Sequence, residues 1–183
     1  LFYPTFLSRK IDRSYEKAVL ENADIVTTVG PTLARHLESK LAVMPGKIKV
    51  IHNGYDESDF ENLTATTTAR FTISYTGTLS GSYPVDGLLE ALKKLIAEET
   101  GISIKFTGHI SEELRTRFIS ETGAGNLEFN SYSDHSTVIK QMLSCSMLLL
   151  VLASDPQNRS FLPGKLFEYI ASGKPVLCLG PAD

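Results

Sequence analysis

Hydrophobic positions along this chain follow two alternating rhythms, one close to every fourth residue and one of short unbroken apolar runs. Leu7, Ile11, Tyr15 and Val19 follow the first and predict an amphipathic helix. The β-branched run from Asp24 to Val29 follows the second and predicts a buried strand. Gly30-Pro31 then opens a helix carrying Leu33, Leu37 and Leu41 along one face, because proline is tolerated at a helix start. Pro45-Gly46 marks a turn before a strand over Ile48 to Ile51. From Asn53 to Ala69 the rhythm fails. Asn53-Gly54 is a strong turn dipeptide and positions 64–69 hold only threonine and alanine, so a domain boundary is expected here.

Beyond it the alternation is cleaner. Strands are expected over Phe71–Tyr75, Ile102–Phe106, Leu127–Phe129, Met147–Leu152 and Val176–Leu179. Between them, Val85, Leu88, Leu89, Leu92, Leu95 and Ile96 form a wide apolar stripe, and Ser111 caps a helix bearing Leu114 and Phe118. A helix over Asp134–Leu143 should bury Val138, Ile139, Met142 and Leu143, and another runs from Gly164 to Ala171. Gly123-Ala124-Gly125 follows a helix rather than a strand, which makes it a helix-ending turn, not a dinucleotide fingerprint. Strand and helix in strict alternation imply an α/β fold, a doubly wound parallel sheet with helices on both faces. Such sheets bind ligands beyond the carboxyl ends of their strands.

Composition narrows the classes. The chain has 183 residues, 42% hydrophobic and 21% charged, the mix of a folded globular protein rather than a disordered tail or a disulfide framework. Eighteen basic residues against 21 acidic ones leave a net charge of −3, which argues against a nucleic-acid-binding surface but allows a local cationic site. Cys145 and Cys178 are expected as buried free thiols in a reducing compartment, since neither has a partner at metal-ligand spacing. The longest apolar run, Met147 to Ala153, falls short of the roughly 18 residues a membrane span needs. The opening Leu1-Phe2-Tyr3-Pro4 and the stop directly after an apolar strand read as the two cut ends of a fragment.

Candidate chemistry sits at the expected strand ends. Thr76-Gly77-Thr78-Leu79-Ser80-Gly81 lets backbone amides approach an anion closely, with a flexible turn as the alternative. Thr107-Gly108-His109 ends the next strand, and its histidine reads as a solvated side chain. A polar loop from Ser154 to Ser160 leads to Lys165, placed in the first turn of a helix. A cation there opposes the helix dipole unless an anion is bound nearby. Glu168 follows one turn on, so a local Lys–Glu surface pair is the competing reading. No P-loop, G-x-S-x-G elbow, H-E-x-x-H or carboxylate cluster suited to Mg²⁺ is present.

Three segments, in this order and spacing, carry a family resemblance. Ala23–Val29 followed by Val50-Ile51-His52-Asn53-Gly54-Tyr55-Asp56 and Phe60 is similar to the interdomain segment of retaining glycosyltransferases of family 4. The strand leading into Thr76-Gly77-Thr78-Leu79 resembles that family's first donor-domain loop, and Lys165–Val176 resembles its most recognisable helix with the Gly-Lys-Pro turn. The resemblance implies a GT-B architecture, two Rossmann-like domains across a cleft. Residues 1–52 would be the end of the acceptor domain and 53–183 the nucleotide-sugar donor domain, truncated at its C-terminus. It further implies transfer of a sugar from a nucleotide diphosphate to a glycan or lipid-linked acceptor with retention, as in polysaccharide biosynthesis. No cofactor is expected beyond the nucleotide-sugar substrate. A cytoplasmic location is expected, with peripheral attachment at the inner membrane face through a lipid acceptor, and the missing N-terminal half would be required for turnover.

Carried across by position, Glu168 matches the glutamate that binds the donor's ribose hydroxyls, and Gly77 matches the glycine beside the diphosphate. Where the family usually has arginine and then lysine to grip the diphosphate, this chain has Thr78 and Tyr83; Ser160 replaces the family's first glutamate. Lys165, helped by Arg159, is therefore expected to supply the positive charge. Gly108 and the backbone around Asn130 to Tyr132 complete the expected donor site. Two other readings stay open: a non-catalytic nucleotide-binding module, favoured by the same replacements, and a nucleotide-sugar epimerase of GT-B fold.

Overall fold

The computed structural model describes residues 5–40, 46–61, 63, 68–81, 83–98, 101–153 and 162–180. The chain divides into two compact units, the first holding the residues up to Asn53 together with Leu162 and the second the other described residues from Gly54 onward. In the first, helix α1 (Phe6–Asn22) is followed by strand β1 (Val26–Thr28), helix α2 (Pro31–Lys40) and strand β2 (Ile48–Val50). Thr5 and Ser8 cap α1 reciprocally, each side chain accepting from the other's backbone N–H. The two strands pair in parallel, Val26 opposite Ile48, which places α2 in a βαβ crossover. The stripe expected on α1 forms as a helix, but Leu7, Ile11, Tyr15 and Val19 are exposed within this unit, and Leu20 is the residue of α1 that is buried.

The second unit contains strands β3 (Phe71–Thr76), β4 (Ile102–Thr107), β5 (Leu127–Asn130), β6 (Met147–Val151) and β7 (Val176–Leu179). Helices α3 (Asp86–Glu98), α4 (Glu112–Thr122), α5 (His135–Ser144) and α6 (Lys165–Ala171) alternate with them. All five strands are parallel in the order β5-β4-β3-β6-β7, so the expected α/β, Rossmann-like sheet is borne out. Side-chain alternation splits the core in two. Ile73, Tyr75, Ile104, Phe106, Leu149 and Val151 meet α3 and α4 through Leu88, Leu89, Leu92, Leu114 and Phe118. Leu148 and Leu150 face the other way, toward Ile139 and Met142 of α5 and Tyr169 of α6. Strand β6 is thus apolar on both faces, as a strand covered by helices on both sides must be.

Two local readings need adjusting. Val138 and Leu143 are only half-buried, because α5 turns Ile139 and Met142 to the sheet. Cys145 is buried and free as expected, but Cys178 is free and exposed, because β7 is the outermost strand. The turn at Gly123 ends α4 as anticipated, its N–H donating to the carbonyl of Ile119.

Candidate functional site

Strand order reverses between β3 and β6, and the parallel pairing there is short. It joins Ile73 to Met147 and Ser74 to Leu148 and stops, whereas β3 and β4 stay paired to Thr76 and Thr107. The carboxyl end of β3 therefore has a ladder partner on one side only. Tyr169 of α6, fully buried, fills the gap: the Thr76 backbone N–H donates to its hydroxyl at 3.3 Å, and that hydroxyl donates to the carbonyl of Leu149 at 3.4 Å. The Thr76 hydroxyl lies 3.0 Å from the same oxygen. Burial pushes the Tyr169 phenol above its ordinary pKa, which keeps it neutral and able to donate.

Directly after Thr76 the chain turns at Gly77, with φ +120°. Gly108, also at φ +120°, ends β4 beside it, and a Cβ there would come within 2.4 Å of the Gly77 carbonyl oxygen. Both positions demand glycine: the first for its backbone conformation, the second also for contact. Hydrogen bonds from Gly77 N–H to Thr107 O and from Gly108 N–H to Asn130 O tie the three strand ends together. Thr78 is exposed, and its carbonyl accepts a 2.7 Å hydrogen bond from the Tyr75 hydroxyl.

Lys165, the first residue of α6, reaches this turn. Its Nζ donates to the Thr76 carbonyl at 3.3 Å and to the Tyr75 hydroxyl at 3.4 Å, and lies 4.5 Å from the centroid of the Tyr75 ring. A side chain added at Gly77 would meet the same ammonium at 3.5 Å. Among the described residues no carboxylate lies within ion-pair distance of Lys165, and burial pushes its pKa down to about 8. The surface Lys–Glu pair does not form. Glu168 instead meets His135, the first residue of α5, with Nε2 of the ring 3.1 Å from Oε1. The other ring nitrogen, Nδ1, lies 3.6 Å from Oδ2 of Asp59. These three side chains do not have the arrangement of a metal site.

Of the residues singled out from sequence, Gly77, Thr78, Gly108 and Lys165 come together at the β3 and β4 ends. Glu168 sits one turn along α6 from Lys165. Tyr132 stands 90% exposed on the loop between β5 and α5. Arg159 and Ser160 lie outside the described residues. His109 is exposed, in line with the solvated reading, and its carbonyl accepts from Leu79 N–H. Four contributors were not anticipated: Tyr75, Tyr169, His135 and Asp59. Tyr169 adjoins Glu168 in sequence, and His135 follows an N-cap aspartate, yet only packing shows what either side chain touches.

Comparison with known proteins accords with this picture. Residues 2–59 match the family model described as Glycosyltransferase Family 4, which bears out the family resemblance read from the sequence over that segment. No curated protein matches the chain closely. Among solved structures, WaaG, a glycosyltransferase involved in lipopolysaccharide biosynthesis, superposes with a TM-score of 0.69 at 15% identity, over 95% of this chain and 49% of WaaG. HepE of Anabaena, solved with UDP, gives 0.68 at 14% identity over 95% of this chain and 49% of its own. TarM of S. aureus, in a mutant complex with UDP, gives 0.65 at 14% identity over 90% and 32%. These matches show the fold, and the chain spans between a third and half of each of these structures.

Proposed function

We propose that this chain is the donor-binding part of a glycosyltransferase that moves a sugar from a nucleotide diphosphate to a glycan or lipid-linked acceptor, with retention. One observation carries the reading: a largely buried ammonium, Lys165, with no counter-ion among the described residues, held at the carboxyl end of the central strand beside the Gly77 turn. A desolvated cation is costly unless an anion completes it, and the site lies where parallel sheets take their ligands. A diphosphate placed against Gly77 would meet Lys165, and the missing side chain at Gly77 leaves it room to approach that ammonium. During transfer, negative charge grows on that departing diphosphate, and a fixed ammonium stabilises it without reorganising.

Glu168 takes the ribose in this reading, since a carboxylate accepts two hydrogen bonds from a vicinal diol. The loop from Asn130 to Tyr132, which leads into the helix bearing Glu168's partner His135, takes the base. Relatives solved with UDP, such as HepE and TarM, support a nucleotide donor. In the same reading residues 1–52 end an acceptor domain, residues 53–183 form the donor domain, and the rest of the enzyme supplies the acceptor site. Polysaccharide biosynthesis on the cytoplasmic side of a membrane is the setting this implies.

The test is calorimetric titration of the chain with UDP and GDP, alongside Lys165→Ala. Losing a charge-assisted contact to phosphate costs about 1.5–3 kcal/mol, a drop of roughly 10- to 100-fold in affinity. Unchanged affinity removes Lys165 from the site, and nucleotide binding without sugar transfer by the full-length protein favours a non-catalytic module.

A further inference from the structure

His135 makes two contacts that the donor-site reading does not use. It stands at the first position of α5, half-exposed, where a positive charge opposes the helix dipole. Three carboxylates face it from three segments: Asp59 from the turn at Glu57–Asp59, Glu168 from α6, and Asp134 from the N-cap of its own helix. Of these, Asp134 is already occupied by Ser136 and Thr137. Lys165, the nearest cation on α6, is turned to Tyr75 and Thr76 instead. Oε1 of Glu168 is held by the imidazole, and among the described residues Oε2 has no hydrogen-bond partner.

We infer that His135 is a positioning residue for this site: held between Asp59 and Glu168, it fixes one carboxylate oxygen of Glu168 and leaves the other directed to a vicinal diol of the ligand. The inference rests on the reading that Glu168 meets the ribose, and adds to it what orients the carboxylate. With Glu168 in hydrogen-bond distance of Nε2 and Asp59 at ion-pair distance from Nδ1, both contacts are favourable only when both nitrogens carry protons. The hydrogen bond to Glu168, with the charges of Glu168, Asp59 and Asp134, raises the imidazole above its ordinary range. The imidazolium is therefore present below that raised value and is lost as pH rises through it. Neutral His135 keeps one proton: the tautomer protonated at Nδ1 turns a lone pair toward Glu168, and in either tautomer the charge that strengthens the hold on the carboxylate is gone, so the hold on Glu168 weakens.

The probe is UDP-glucose, with GDP-mannose as the second base. Their diphosphates are esterified at both ends and do not titrate near pH 6, unlike the terminal phosphate of UDP with a second pKa of about 6. Between pH 6 and 7, where Lys165 is mostly charged, wild-type affinity should fall as pH rises. His135→Leu should bind about three- to tenfold more weakly at pH 6 and lose that dependence. His135→Gln, whose amide can donate to Glu168 without titrating, should restore affinity and give a flat profile. By NMR, the His135 ring of the unliganded chain should titrate above 6.5, and Glu168→Gln should lower that midpoint. A His135→Leu variant with wild-type affinity and pH profile, while Glu168→Gln weakens binding, overturns the role of His135 and spares the ribose reading. Glu168→Gln with wild-type affinity, or no binding of either donor, overturns both. An imidazole midpoint unmoved by Glu168→Gln overturns the coupling whatever the ligand does.

Discussion

The hydroxyl of Tyr169 takes the place of a missing strand at Thr76, accepting the backbone N–H that β6 does not reach. An aromatic side chain from α6 thereby completes the sheet at the point where strand order reverses, and the same helix delivers Lys165 and Glu168 to the site. Removing that oxygen leaves a buried N–H without a partner, which costs about 1–3 kcal/mol. Tyr169→Phe should lower stability by that amount in urea unfolding. It should also weaken nucleotide binding, because α6 loses its anchor to the strand end.

The two glycines at the strand ends should respond differently to alanine. At Gly108 the new Cβ meets a backbone carbonyl at 2.4 Å, which no rotamer change relieves. Gly108→Ala should destabilise by about 4 kcal/mol or more, or prevent folding. At Gly77 the nearest atom is the flexible end of Lys165, at 3.5 Å, so the cost is mainly the left-handed backbone, about 1–3 kcal/mol. Gly77→Ala should fold, with a lower urea midpoint, and lose affinity for UDP more than it loses stability.

Lys165 should cost the empty protein stability. Its folded pKa of about 8 lies below the unfolded value of 10.5, so burial penalises the charged form and stability rises with pH from about 8 to 10.5. Lys165→Met should stabilise the unliganded chain by about 1–3 kcal/mol at pH 7, since one pKa unit corresponds to about 1.4 kcal/mol. It should also flatten the pH dependence over that window. The same variant should lose UDP binding. Wild-type affinity should fall above pH 8, and binding at that pH should take up a proton, visible as a dependence of the calorimetric heat on buffer.

The two thiols differ in accessibility. Cys178 is exposed on the outermost strand, whereas Cys145 is buried and its pKa raised by that burial. A maleimide should label Cys178 within minutes in the folded chain and Cys145 only on unfolding, with mass spectrometry after digestion as the readout.

The alternation of strand and helix was readable along the chain because each element's own residues impose its period. Met147–Val151 is apolar throughout and needs cover on both faces, and Ser111 and Asp134 mark helix starts by the hydrogen bonds their side chains accept. Glycine's tolerance for a positive φ likewise made Gly77 and Gly108 stand out at strand ends. What a side chain faces is a different matter, because it depends on residues far away in sequence. Lys165 and Glu168 stand three positions apart, close enough in sequence for a surface pair, yet one joins Tyr75 and Thr76, about ninety residues earlier, and the other joins His135. Exposure of Cys178 and of the α1 stripe also depended on what packs beside them: an apolar pattern says that a face can be buried, while only the neighbouring elements say whether it is. Local periodicity thus set the elements and their order. The distance between residues that the fold brings together chose the partners of every charged group in the site, and with them its chemistry.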